Sequence, residues 1–368
     1  MKKTNQINVW SYLEEYEEYK DDIFNVISDV FSSGQLILGE KVTEFENNFS
    51  GWVGSKYGVG VGNGTDAIKL ALLSLDIGHG DEVITVSNTA VPTVSAIIET
   101  GASPVFCDVN TDDFTIDVEL IDSLITKKTK AIVCVHLYGH SANIGKLIKI
   151  CKENNINLIE DCAQSHGSKY KNKPTGSFGK VSAFSFYPTK ILGGFGDGGM
   201  CVTNSKNIDR KIRMLRFYGM KNMYYSEIKN GVNSRLDEVH AAILDYKLKR
   251  LDEDIKKRRK IASIYNSQLQ DTNLILPIEK KDYFHSYYLY VVRHSNRDKI
   301  IKSLKDNNIN LNISYPYPIH SMPPFRKFKK STMKNTNKLS KEIFSLPMYP
   351  ALSSEKVEKT IQIIKKFI

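Results

Sequence analysis

Between residues 56 and 205 two hydrophobic patterns alternate along the chain. Short runs rich in β-branched and aromatic residues, KYGVGV, DEVITVS, SPVFCDV, KAIVCVHL, INLIED, SAFSFY and GMCVTN, read as buried strands. Between them, apolar residues return at helical spacing and predict helices over 65–75, 92–100, 118–125 and 143–154. Strands alternating with helices make βαβ units, hence an α/β fold with a mostly parallel central sheet covered on both faces. Farther along, Leu236, Val239, Ile243, Tyr246 and Leu251 recur every three to five residues, which predicts one long helix within 234–269 linking two domains. An aromatic strand (YYLYVVR), a helix, the proline-rich loop SYPYPIHSMPP and two terminal helices follow. The pattern divides the chain into a large domain, 1–248 with an N-terminal arm, and a smaller C-terminal α+β domain, 249–368. The Lys- and Asn-rich stretch 326–340 reads as an exposed loop.

At 368 residues the chain exceeds the roughly 250–300 at which single cores stop growing, which agrees with two domains. No apolar run reaches the ~18 residues of a membrane span, and MKKTNQINVW lacks the apolar stretch of a signal peptide, so the expected location is the cytoplasm. The five cysteines are odd in number, form no CxxC and mostly sit in apolar runs; we expect buried thiols, no disulfide and no metal site. The net charge of +10 raises the question of nucleic acid. The basic residues are spread along the chain, and the densest run, KKRRK at 256–260, falls in a helical pattern, so a solvated helix face is the better reading. A mildly positive site for a small anion is compatible with that balance.

Three stretches carry chemistry. GVGVGNGTD at 58–66 runs into a helical pattern, and a glycine-rich turn at a helix start presents free amides to an anion such as phosphate. The same stretch is also read as a simple cap by Asn63 or Thr65. Asp161 closes the strand INLIED, with Gln164 and His166 in the turn beyond; alone, it reads equally as a structural turn residue. Lys190 follows SAFSFY; alone, it reads as a solvated loop lysine, yet a partly desolvated lysine is a Schiff-base nucleophile. Gly194, Gly196 and Gly199 fit G-x-G-x-x-G, but GMCVTN continues as a strand where a dinucleotide site requires a helix. Taken together, a phosphate cup, a carboxylate and an amine at one rim of a parallel sheet are the three groups that pyridoxal phosphate needs.

The segments GNGTDAIKLAL, GDEVITVSNT, AIVCVHLYGH, IEDCAQSHGS, SFYPTKILGGFGDGG, NSRLDEVHAAIL and SLPMYP, in this order, resemble the DegT/DnrJ/EryC1/StrS sugar aminotransferases over about residues 8–360. The resemblance implies the aspartate aminotransferase-like fold, fold type I of the pyridoxal-phosphate-dependent transferases. It also implies transamination of a nucleotide-linked keto sugar with L-glutamate, giving an amino sugar for a surface polysaccharide or glycoside. By the same resemblance Lys190 forms the Schiff base, Asp161 pairs with the pyridine nitrogen and Gln164 approaches the ring hydroxyl. Gly64, Thr65 and Ser185 bind the phosphate, and Asn233 reaches the phosphate of a neighbouring subunit, which implies a homodimer with shared sites. Tyr315 and His320, in the loop from Ser314 to His320, become substrate-contact candidates, although a packed or surface histidine fits His320 equally well. Many relatives carry an aromatic residue after N-T, stacked on the pyridine ring; here that position is Ala90, so the stacking residue stays unassigned.

Lys190 argues against the related sugar dehydratases, which carry histidine there, while the aminohydroxybenzoate-forming branch keeps the lysine and stays open. A non-catalytic regulator on this fold would be expected to lose the lysine or the phosphate cup. The form of these blocks favours amination at C-3 of a dTDP-3-keto-6-deoxyhexose, with amination at C-4 as the alternative.

Overall fold

The computed structural model describes residues 6–368. Seven strands form the central sheet: β1 (Tyr57–Val61), β2 (Glu82–Val86), β3 (Ser103–Cys107), β4 (Thr129–Val135), β5 (Asn157–Asp161), β6 (Val181–Ser185) and β7 (Gly199–Thr203). Their spatial order is β1-β7-β6-β5-β4-β2-β3. β7 runs antiparallel to both of its neighbours, and the pairs from β6 to β3 are parallel. Each of these seven strands lies within two residues of the ends expected from the sequence. Their apolar runs are continuous because helices cover both faces of the sheet.

The two faces have separate cores. Val181 and Ala183 of β6 pack with Val59, Leu70 and Ile159, whereas Phe184 packs on the opposite face with Phe45, Phe49 and Phe186. That alternation is the period-two signature of a strand buried on both sides. Two helices that precede the sheet, α1 (Leu13–Ser33) and α2 (Glu40–Val53), were not assigned from the pattern; α2 supplies Phe45 and Phe49. The crossovers are α3 (Gly64–Ser74), α4 (Val91–Glu99) and α5 (Ile144–Glu153), and α6 (Lys206–Leu215) follows β7.

The structure corrects three helical expectations. Residues 118–125 form two 3₁₀ turns, Val118–Leu120 and Asp122–Leu124, in place of an α-helix. Val118, Ile121 and Leu124 are spaced by three, which matches the 3.0 residues per turn of a 3₁₀ helix. The long helix is broken into α7 (Glu238–Leu248) and α8 (Leu251–Leu269). Charge explains the break: Lys247 ends one helix and Asp252, Glu253 and Asp254 begin the next, each complementing its own helix dipole. Finally, after α9 (Arg297–Asp306), the stretch expected as a loop contains α10 (Lys334–Glu342). Its start is held by buried Asp108, which accepts the N–H groups of Asn335 at 2.8 Å and Thr336 at 2.9 Å, a tertiary contact that no local pattern announces.

The C-terminal unit is built on the antiparallel pair β8 (Tyr290–Arg293) and β9 (Ile343–Leu346), flanked by α9 and by α11 (Ser354–Phe367). Helix α8 straddles the two units. Leu251 and Ile255 pack in the large core, whereas Ile261, Tyr265 and Leu269 pack with Tyr290, Phe344 and Ile361 in the small one. Ile7 joins that small core, where its strand pairs with Ile309. All five cysteines are buried and unpaired, and no described helix is long and apolar enough to cross a membrane.

Candidate active site

Because β1, β5 and β6 point the same way, their carboxyl ends deliver three loops to one rim of the sheet. A cavity of about 310 Å³ opens there, lined among others by Gly64, Thr65, Asp161, Gln164, Ser185 and Lys190. Six residues singled out from distant stretches of sequence thus meet in one place.

The loop after β1 ends in Asn63, whose side chain accepts the Asp66 N–H at 2.9 Å and caps α3. Capping uses one amide of the first turn; those of Gly64 and Thr65 have no partner within the helix and face the cavity end. Both sequence readings of this stretch therefore hold together: a cap is present and free amides remain. Glycine is needed at 64, since a Cβ there would lie 2.7 Å from the Cβ of Ser185 and 3.1 Å from its Oγ. The helix start and Ser185 make a close-walled cradle suited to an oxyanion.

Asp161 closes β5 and is 4% exposed. Its Oδ2 accepts from Thr93 Oγ1 at 2.8 Å and its Oδ1 from the Ala163 N–H at 3.1 Å. Burial holds its carboxyl above the usual range, although Thr93, the Ala163 amide and the charge of Lys190 pull the other way. Such a buried carboxylate has an unmet demand for a cation. The adjacent Glu160 points to the other face, where it accepts from His136 Nε2 (3.0 Å), the amides of Gly176, Phe178 and Gly179, and Ser182 Oγ. His136, Glu160 and Cys162 lie near enough to one another to share a metal ion, yet both carboxylate oxygens are engaged and His136 Nδ1 accepts the Ala142 N–H at 3.0 Å. The cluster is a hydrogen-bonded knot that fixes the end of β5.

Lys190 sits on a tight turn, its N–H donating to the Tyr187 carbonyl at 2.8 Å. The glycines beyond it fold the chain back, and a Cβ at Gly193 would lie 2.3 Å from the Pro188 carbonyl oxygen. Nζ rests over the ring of Tyr288, 4.9 Å from its centroid. Tyr288 comes from the C-terminal unit; its hydroxyl is 3.1 Å from Thr189 Oγ1, and its carbonyl accepts from fully buried Arg258 Nη1 at 3.3 Å. Arg258 also holds the Met348 carbonyl at 3.0 Å, tying α8 to the tyrosine that carries the lysine. Gln164 Oε1 accepts the Tyr138 N–H at 2.9 Å, and its Nε2 donates to the Tyr315 hydroxyl.

The other sequence candidates lie elsewhere. His320 is buried away from the cavity, its Nδ1 2.7 Å from Ser87 Oγ, and burial lowers its pKa. Tyr315 reaches the site through Gln164. Asn233 is exposed and outside this cavity. His166 is packed among Phe49, Phe184 and Phe186 with both ring nitrogens unpartnered, and burial takes it down to about 3, a neutral core ring. Thr93, Tyr187, Asp197 and Tyr288 were missed. Thr93 had a faint signal, being one helical turn into α4 beside Ala90; Tyr288 had none, since tertiary packing alone brings it in.

These residues fit pyridoxal phosphate. Gly64, Thr65 and Ser185 would hold the phosphate, Asp161 the pyridine nitrogen, and Lys190 the aldehyde carbon. The sequence profile of the DegT/DnrJ/EryC1/StrS aminotransferase family matches residues 17–365. The chain is 47% identical over 98% of both lengths to a dTDP-3-amino-3,4,6-trideoxy-alpha-D-glucose transaminase of Micromonospora megalomicea subsp. nigra. It is 38% identical, over 96% of both chains, to a pleiotropic regulatory protein of Geobacillus stearothermophilus. The crystal structure of S. venezuelae DesV in complex with ketimine intermediate superposes with a TM-score of 0.96 at 35% identity, covering 99% of each chain. The fold, the cavity and the sequence match agree, and the chain belongs to the DegT/DnrJ/EryC1/StrS family of pyridoxal-phosphate-dependent aminotransferases.

Proposed function

We propose that the protein transfers the amino group of L-glutamate to C-3 of a dTDP-3-keto-6-deoxyhexose, supplying an amino sugar for a surface polysaccharide or glycoside. The observation that carries this reading is the convergence of Lys190, Asp161 and the free amides of α3 on one cavity. The 47% identical transaminase supports the C-3 assignment over C-4. We further propose a cytoplasmic homodimer: the five buried, unpaired thiols suit a reducing compartment, and the exposure of Asn233 is compatible with the role toward a neighbouring subunit's phosphate that the family resemblance gives it.

Bound in the cavity, the cofactor supplies an electrophilic aldehyde and an electron-withdrawing ring. Asp161, oriented by Thr93 and the Ala163 amide, keeps a proton on the pyridine nitrogen by offering a buried negative charge. The α3 amides, with Thr65 and Ser185, orient through the phosphate. Lys190 Nζ would take the proton from the α-carbon of the amino donor, hold it as an ammonium and give it up on the same face, and would act in the opposite order at the sugar carbon. The ring of Tyr288 supports that amine as an ammonium between the two transfers.

Incubation with glutamate is expected to bleach the visible absorbance of the bound cofactor, and the dTDP-3-keto sugar to restore it with an aminated product. Lys190→Ala lowers turnover by more than about a thousandfold; a variant that still turned over the keto sugar would sink the assignment. Turnover of a 4-keto sugar in preference to the 3-keto sugar moves the chemistry to C-4. The relative described as a regulatory protein motivates one rival, a protein that holds the cofactor without turnover, and a wild-type protein that aminated neither sugar would favour it.

A further inference from the structure

Beyond Lys190 the chain runs through a glycine-rich loop, 193–199, before it enters β7, and Asp197 is the charged residue of that loop. Asp197 is exposed and lines the cofactor cavity together with Lys190. Its carboxylate is out of place there. The cavity has to admit a phosphate group, the amino donor glutamate and a sugar carrying a diphosphate, and an uncompensated negative charge in its wall repels each of them.

A counter-charge stands behind the loop. His240, in the first turn of α7, has its Nδ1 2.8 Å from Asp237 Oδ2, and the same carboxylate accepts the His240 N–H at 2.8 Å through Oδ1. Held in this way, the imidazole turns Nε2 toward the loop: a Cβ at Gly196 would lie 2.5 Å from Nε2, and one at Gly194 would lie 3.6 Å from Cδ2. Glycine at 196 is what lets the ring come so close to the backbone beside Asp197. The hydrogen bond to Asp237, joined by the charges of Asp237 and Asp197, holds the imidazolium above the usual histidine range, against the opposing effect of burial.

The other charges around the loop are engaged elsewhere. Lys247, about two turns farther along α7, donates to the Gly193 carbonyl at 2.7 Å and pairs with Glu15 of α1 at 2.9 Å. Glu238 turns toward the start of α2, and Lys190 and buried Asp161 face the cofactor cavity. His240 is the cation left to answer Asp197.

We infer that His240 is a positioning residue for the transamination: as an imidazolium it neutralises Asp197 from behind the glycine loop and keeps the cavity receptive to an anionic amino donor. Binding of that donor therefore depends on pH. Once His240 loses its proton, above its raised value, the Asp197 carboxylate stands alone and glutamate binds less well, while proton transfer by Lys190 keeps its rate. The inference rests on the transaminase reading and deepens it by assigning the charge balance of the cavity wall.

The test follows the glutamate half-reaction of the cofactor-loaded full chain through its loss of visible absorbance, at about pH 6 and about pH 9, on either side of the histidine titration. The half-saturating glutamate concentration and the limiting rate are read separately. His240→Gln keeps a nitrogen toward the loop and removes the charge. It is expected to raise half-saturation by about two- to fivefold at the lower pH, to match the wild type at the higher one, and to leave the limiting rate alone at both. Asp197→Asn is expected to bind glutamate more tightly than the wild type at the higher pH, and on that background His240→Gln is expected to change nothing further. Wild-type half-saturation in His240→Gln at both pH values, or a loss of limiting rate in its place, overturns the inference. So does an effect of His240→Gln that survives in Asp197→Asn, or equal glutamate binding by Asp197→Asn and the wild type at the higher pH. A wild-type protein that glutamate does not bleach refutes the transaminase reading instead.

Discussion

The demand placed on Asp161 has a measurable cost. Its carboxyl is buried and its pKa is raised, chiefly by burial, with Thr93, one amide and the charges of Lys190 and His136 in opposition. A raised folded-state value means that the folded protein without cofactor holds this proton longer than the unfolded chain does. The folded state is therefore disfavoured as pH rises past the ordinary carboxylate range, and the penalty grows until pH passes the raised folded-state value. Asp161→Asn is accordingly expected to leave the thermal midpoint of cofactor-free protein unchanged or higher at neutral pH. The same change weakens cofactor binding by at least about tenfold, because a charge-assisted hydrogen bond is worth roughly 1.5–3 kcal/mol. Calorimetric melting and cofactor titration check both halves; a lower midpoint with unchanged cofactor affinity would show Asp161 to be merely structural. Legibility at this scale was uneven. Lys190 and Asp161 could be found because they end strands whose apolar runs are visible in sequence, whereas Tyr288, about a hundred residues from the lysine it supports, belongs to another unit and has no local mark.

Elements show the same division between local and tertiary causes. The seven strands could be read because burial on both faces makes each one a continuous apolar run. Helix α10 and the break between α7 and α8 depended on capping and charge, which the apolar period does not record. Helix α2 is the clearest case of a tertiary cap. Gly39 precedes it and brings no side chain, so Glu238, at the start of α7, accepts the N–H groups of Gly39 at 2.7 Å, Lys41 at 2.8 Å and Val42 at 3.1 Å. Glu238→Ala leaves three donors without their acceptor and is expected to cost about 1–3 kcal/mol, read as a lower thermal midpoint. Because α2 delivers Phe45 and Phe49 to the core beneath β6, the loss should also loosen the strand that presents Ser185. Protection of β6 amides from hydrogen exchange would report that coupling, and unchanged protection would limit the effect to the helix start.

Over the whole molecule, the exposed apolar residues have a pattern. Phe24 (58% exposed) and Phe31 (63% exposed) lie two turns apart on one face of α1, followed by exposed Leu36 and Ile37. Met223 and Tyr224 project from the tip of the hairpin formed by Met220–Asn222 and Tyr225–Ser226. Exposed apolar residues of this kind favour a contact surface, and under the homodimer proposed above a second copy of the chain is what they would meet. Sedimentation of a Phe24→Asp/Phe31→Asp double variant is expected to shift toward monomer; an unchanged dimer would place the contact elsewhere. The net charge of +10 comes from basic residues spread along the chain, which is why it pointed to no nucleic-acid partner. The five cysteines, in contrast, are all inside the protein, where burial keeps the thiols protonated and out of reach. The surface is therefore silent toward maleimide dyes, and one cysteine introduced at Tyr224 would accept a label alone. A pair of such labels on two copies would read the distance between hairpin tips by energy transfer, with every native thiol left in place.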